Sequence, residues 1–191
     1  MTIADKLLFR TGTCPWWLCF TFDNPLRRAL QNPRKILEGM VHQGQSALDV
    51  GCGMGYFSIP LAQIVGNSGA VTCVDLQQHM LDATRQRAER AGVSSIIKYH
   101  RCTYDSLGLT GQADFALAFW MVHEVPDKQR FLREIREALQ PQGQFLLAEP
   151  YVHVTRPNFE ATVAAALSVG FEIVAEPRVP MSMAVLLKAL D

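Results

Sequence analysis

The stretch 46–59, SALDVGCGMGYFSI, constrains the rest of the chain more than any other. A short apolar run, Ala47-Leu48-Asp49-Val50, leads into glycines at alternate positions, Gly51, Gly53 and Gly55, and then into an apolar segment with helical patterning. Strand, glycine turn and helix in that order bring bare backbone N–H groups and a helix N-terminus up to a ligand. A Cβ in such a turn would block close approach and resist positive φ.

The glycine spacing discriminates between ligands. A dinucleotide fingerprint is G-x-G-x-x-G, with the third glycine letting helix and strand pack around a pyrophosphate. Here the pattern is D-x-G-x-G-x-G, and Tyr56 stands where the fingerprint has glycine. A nicotinamide-dependent oxidoreductase shares this strand–turn–helix start, but the spacing opposes it.

Downstream, the chain alternates strands and helices. Strands are expected at 46–50, 70–75, 96–102, 113–119, 144–149, 171–176 and 182–190. Helices are expected at 25–31, 33–42, 55–65, 77–91 and 157–168, with a further one capped by Asp127. Asn24-Pro25 and Asn32-Pro33 each pair an N-cap residue with proline at the first helical position. Phe131, Leu132, Ile135, Ala138 and Leu139 form a helical apolar stripe after Asp127. Repeated β-α units followed by a β-β ending predict a mostly parallel sheet with one antiparallel strand. The second strand ends in Asp75, about 20 residues beyond the glycine turn, where α/β nucleotide folds place an acid that accepts from ribose hydroxyls.

Composition narrows the classes. At 191 residues a single α/β domain is expected, with 1–32 as an N-terminal arm or lid and 33–191 as the core. Lys plus Arg and Asp plus Glu both number 18, which argues against a nucleic-acid footprint, and Arg85, Arg87 and Arg90 fit the solvated side of a helix. Five cysteines with no C-x-x-C suggest a reducing compartment and a cytoplasmic protein. No secretory signal or apolar run of membrane-spanning length is evident.

Four segments, in order, resemble the class I S-adenosylmethionine-dependent methyltransferases, in the style of the group that includes the quinone-biosynthesis enzymes. LDVGCGMG (48–55) is similar to the cofactor-binding turn, and VTCVDLQQHML (71–81) to the acidic strand end and the helix after it. ADFALAFWMVHEVPD (113–127) is similar to the strand 4 segment, and LQPQGQFLLAEP (139–150) to the L-x-P-G-G strand 5 motif. The resemblance implies a Rossmann-like three-layer sandwich with a seven-stranded sheet whose strand 7 is antiparallel. It implies S-adenosylmethionine as cofactor, with Asp49, Gly51, Cys52, Gly53 and Gly55 around its amino-acid part and Asp75 on its ribose. Leu76, Met80 and Phe119 would add apolar contacts. The sequence departs from the family where an acid often follows strand 3, since Cys102 and Thr103 stand there with Asp105 nearby. It departs again at Gln142, where glycine is usual.

Methyl transfer from a sulfonium mainly requires holding nucleophile, carbon and sulfur in line and excluding water. A general base is needed only where the nucleophile must lose a proton. His123 and Glu124, just past strand 4, and Glu149, at the end of strand 5, are the candidates for such a role or for a substrate hydroxyl; a capping pair is the plainer alternative. Tyr151 and His153 follow at the same edge. The spacing of His123, Glu149 and His153 is not diagnostic of a metal site. Trp16, Trp17, Phe20 and Phe22 suggest a lid over an apolar or aromatic acceptor, or an arm packed on the core. Cys14 and Cys19 read most simply as packing residues in that aromatic stretch.

The expected activity is methyl transfer from S-adenosylmethionine to a small-molecule acceptor. Protein or RNA methylation and a non-catalytic cofactor-binding module are the alternatives.

Overall fold

The computed structural model describes residues 30–191, which form one seven-stranded sheet in the order β3-β2-β1-β4-β5-β7-β6. The strands are β1 (Ser46–Val50), β2 (Ala70–Asp75), β3 (Ile97–Arg101), β4 (Ala113–Phe119), β5 (Leu139–Pro150), β6 (Phe171–Ala175) and β7 (Ser182–Ala189). Strands β1 to β5 pair in parallel, and β7 runs antiparallel between β5 and β6. The sheet is the predicted Rossmann-like one, antiparallel strand included.

Among the described residues five α-helices cover it: α1 (Pro33–Leu37), α2 (Ser58–Val65), α3 (Gln78–Arg90), α4 (Lys128–Glu137) and α5 (Arg156–Ser168). Strand pleating sends successive side chains to opposite faces. On β4, Phe115, Leu117 and Phe119 join Leu61, Val65 and Leu81 of α2 and α3. Ala116 and Ala118 face the other way and join Leu132, Ile135 and Phe159 of α4 and α5. Two apolar layers thus sandwich the sheet, whose central parallel strands β1 and β4 are buried on both faces while the edge strands β3 and β6 are more exposed.

The turns explain where elements end. Asn32 caps α1 by accepting the Arg34 N–H at 3.0 Å. The helix stops at Leu37 rather than 42 because Gly39 takes a left-handed φ of 75° and turns the chain away. Helix α2 starts at Ser58, three residues later than expected, because the glycine turn continues through Phe57. Its Pro60 lies in the first turn, where no intrahelical N–H bond is lost. Strand β5 begins at Leu139 rather than Gln144, and its pairing with β4 shifts register across the Pro141-Gln142-Gly143 segment.

The expected helix at 25–31, apart from its last residues, and the residues Cys14, Trp16, Trp17, Cys19, Phe20 and Phe22 lie outside the described part of the chain. Among the described residues no helix is long and apolar enough to cross a membrane.

Candidate active site

The strand order reverses between β1 and β4, and open α/β sheets bind ligands at the carboxyl edge of such a switch point. A cleft of about 320 Å³ opens there, floored by Val50, Gly51 and Gly53 and bordered by Asp75 at the end of β2.

The glycines of the turn do different work. A Cβ on Gly53 would meet no atom within 4 Å, so it would project into the cleft itself. A Cβ on Gly51 would strike Met121 Cγ at 2.7 Å, where the turn meets the chain leaving β4. A Cβ on Gly55 would strike Thr84 Cγ2 at 2.8 Å, and Gly55 does not border the cleft. Gly55 therefore serves the packing of the turn on α3.

Asp75 is buried, and both its oxygens are engaged. Oδ2 accepts the Gly53 N–H at 3.0 Å and Oδ1 accepts the Gln77 N–H at 2.9 Å. Burial pushes its carboxyl above the usual range, against the pull of those backbone donors. Each oxygen of a carboxylate carries two acceptor sites. Asp75 therefore keeps acceptor capacity for a further hydroxyl donor while holding the turn.

Leu76, Met80, Cys102 and Thr103 border the same cleft, and so do Asp105 and Glu124. Burial, reinforced by Asp75, pushes the Cys102 thiol up to about 11, so it presents a neutral wall. The opposite wall was not anticipated: Leu107, Val125 and Phe131 supply apolar surface. The loop after β3 is fastened to α4 by Glu134, which accepts the Leu107 N–H at 2.5 Å and the Ser106 hydroxyl at 3.1 Å.

Asp49, Cys52, Gly55 and Phe119 do not line the cleft. Asp49 is buried beneath the turn and accepts the Ser58 hydroxyl at 2.5 Å, which ties β1 to the start of α2. Burial pushes its pKa up to about 7. Cys52 is buried; its contact with Cys73 and its burial hold its thiol well above the ordinary range. Phe119 packs in the core with its ring 4.4 Å from that of Phe57.

His123 and Glu149 are brought together outside the cleft's own lining. Glu149 Oε1 accepts the His123 backbone N–H at 3.0 Å, and Oε2 meets His123 Nδ1 at 2.6 Å. The ring of His153 stacks on that of His123 at 5.8 Å and 13°. Tyr151 stands apart, exposed on the rim of a separate hollow with Phe159 and Met181. Among the described residues no three His, Cys, Asp or Glu side chains are placed to share a metal ion.

The residues present fit S-adenosylmethionine. Bare backbone at Gly53 admits close approach, Asp75 offers acceptors for ribose hydroxyls, and Leu76, Met80, Leu107 and Phe131 make an apolar slot suited to a flat base.

A parallel α/β sheet with this cleft at its switch point defines a nucleotide-cofactor domain. The sequence profile of the methyltransferase domain family matches residues 48–147. The chain belongs to that family, the class I S-adenosylmethionine-dependent methyltransferases. Its relatives include a demethylmenaquinone methyltransferase of Bacillus velezensis, 30% identical over 109 residues, or 57% of this chain and 47% of that protein. Another is the ubiquinone/menaquinone biosynthesis C-methyltransferase UbiE of Haemophilus ducreyi, 30% identical over 110 residues, 57% of this chain and 42% of that one. The chain thus spans less than half the length of these relatives. Among solved structures, a SAM-dependent methyltransferase from Aquifex aeolicus superposes with a TM-score of 0.84 at 20% identity, covering 93% of this chain and 100% of that one.

Proposed function

We propose that this protein transfers the methyl group of S-adenosylmethionine to a small apolar or aromatic acceptor held over the carboxyl edge of β4 and β5. The observation that carries this reading is the continuity of the cleft. It runs from Gly53 and Asp75 to Trp120, Met121 and Glu124, so the cofactor end and the β4 edge share one hollow.

The cofactor, when bound, supplies an activated methyl group on a sulfonium. Asp75 would fix the ribose, and the Gly51–Gly53 backbone would admit the amino-acid part. Leu76, Met80, Cys102 and Thr103 would hold the adenine. Met121 and Val125 would keep water from the transfer region, and Glu124, which borders the cleft, would meet an acceptor hydroxyl. An in-line transfer asks the protein chiefly for this positioning and exclusion of water.

Residues 1–29, with Trp16, Trp17 and Phe20, would cover the acceptor. Their attachment point supports this. Gln31 is fully buried, and its side-chain amide donates to the Pro180 carbonyl at 2.7 Å, beside the β5–β7 edge. The names of the two quinone-pathway relatives favour a quinol-type acceptor over protein or RNA.

Incubation with S-adenosylmethionine and demethylmenaquinol, bulk RNA or denatured protein, read by mass spectrometry, tests the reading. A methylated quinol with stoichiometric demethylated cofactor is expected. Methylation of RNA or protein alone would contradict it.

A further inference from the structure

We propose that His123, held by Glu149, is the base that takes a proton from the acceptor, and that the acceptor is therefore a phenol- or enol-type molecule that must lose a proton to be methylated. This rests on the methyltransferase reading above and adds to it a residue and a substrate class.

His123 sits on the short 3-10 turn Val122–Glu124 that follows β4, and its neighbours Met121 and Glu124 both border the cleft. The turn is held in place from several sides. Trp120, which leads into it, adopts φ 61°. Its backbone N–H donates to the Ala148 carbonyl at 2.8 Å and its indole N–H to the Ser182 hydroxyl at 2.7 Å. A tryptophan in the left-handed region costs on the order of 1–2 kcal/mol and persists only where surrounding contacts determine it, a situation common at functional sites.

Glu149 is 2% exposed. A carboxylate buried to that degree is costly unless paired, and both its oxygens are committed to His123. A carboxylate only accepts, so the proton of the 2.6 Å contact belongs on Nδ1. The neutral ring then carries its lone pair on Nε2, the nitrogen for which no hydrogen-bond partner appears among the described residues. The His153 ring covers one face of the imidazole. Glu149 is a positioning residue; His123 would touch the acceptor.

The groups facing the ring are Glu149 from β5, Glu124 on the same turn, Lys128 from α4 and His153 beyond β5. Burial lowers the ring's pKa and Lys128 opposes its charge, but Glu149 outweighs them and the ring is more basic than an ordinary histidine. A base of that strength suits a hydroxyl acidified by an aromatic or enone system. In the step, Nε2 takes the hydroxyl proton, and the acceptor's oxygen, or the ring carbon beside it made nucleophilic by that ionisation, forms the bond to the methyl carbon; in the carbon case that carbon's own proton moves afterwards, through solvent, to the ring oxygen as aromaticity is restored. The methyl–sulfur bond breaks with its electron pair left on sulfur, and His123 returns the proton to solvent.

His123→Asn keeps an N–H donor near the Nδ1 position but has no basic nitrogen, so it separates a base from a fastener. With demethylmenaquinol as the probe, kcat is expected to fall at least ~100-fold while S-adenosylmethionine affinity stays within about threefold by calorimetry. Glu149→Gln should move the acidic limb of the kcat–pH profile to lower pH. In 15N NMR the neutral His123 ring should carry its proton on Nδ1. A His123→Asn kcat within about threefold of wild type, an unmoved pH limb, or a neutral ring protonated on Nε2 would each overturn the proposal. If the wild type binds S-adenosylmethionine but leaves demethylmenaquinol unmethylated, the quinol reading fails and the NMR tautomer decides the base. If it does not bind S-adenosylmethionine, both readings fail together.

Discussion

The Asp75 carboxylate accepts the Gly53 N–H at 3.0 Å, and so couples the acid at the end of β2 to the one glycine whose missing side chain opens onto the cleft. The far side of Gly53 is pinned as well, by the Thr84 hydroxyl donating to its carbonyl at 2.9 Å. The turn is thus shaped before any ligand arrives. Gly53→Ala should fold with a loss of about 1–2 kcal/mol, the cost of an L-residue at φ 53°. Its loss of cofactor affinity should be the larger effect, because the methyl group enters the cleft. Gly55→Ala should show the reverse, a larger loss of stability from the Thr84 contact at 2.8 Å with a smaller effect on affinity per unit of stability lost. Thr84→Ser should recover part of that loss. Denaturant melts beside calorimetric titration would check both.

Asp49 makes stability depend on pH. Its folded pKa of about 7 lies above the ordinary carboxylate value near 3.8, chiefly because of burial. Between those values the folded state holds a proton that the unfolded state has released, so stability falls as pH rises from about 4 to about 7. Asp49→Asn keeps an acceptor for Ser58 and removes the titration. Its melting temperature relative to wild type should therefore rise between pH 5 and pH 8, by several degrees on the order expected for a domain of this size. A constant difference across that range would contradict the assignment.

Gln142 occupies a left-handed conformation, φ 66°, inside the β5 irregularity, and its exposed side chain donates to Asp191 at 3.0 Å. Glycine is usual at this place in the family the sequence resembles, and the backbone shows why. Gln142→Gly should stabilise the protein by about 1 kcal/mol, seen as a higher denaturant midpoint with an unchanged slope.

Much of the fold is legible in the residue pattern because parallel strands buried on both faces read as short apolar runs between turn residues. The seven strands fall where that pattern puts them, apart from the earlier start of β5, and Asn32 and Asp127 cap the helices that follow them. What is not legible depends on which strands become neighbours. His123 and Glu149 are 26 residues apart, and they meet only because β4 and β5 pair in register, Ala118 beside Leu147. The α4 stripe marks Phe131 and Leu132 as apolar without revealing that Phe131 ends at the cleft while Leu132 stays in the core. Asp49 and Phe119 stand at the carboxyl ends of their strands, as ligand-binding residues do, yet their side chains point into packing. A strand's alternation fixes opposite faces but not which residue reaches past the edge.

On the proposed reading, Asp75 and the glycine turn hold S-adenosylmethionine. Isothermal titration of wild type and Asp75→Ala with S-adenosylmethionine, its demethylated product and NADH tests it most directly. Saturable binding of the first two to wild type is expected, with no heat from NADH. Asp75→Ala should bind roughly 10–100-fold more weakly, the loss expected for hydroxyl bonds to a charged acceptor. Binding of S-adenosylmethionine with equal affinity to both proteins, or to neither, would contradict it.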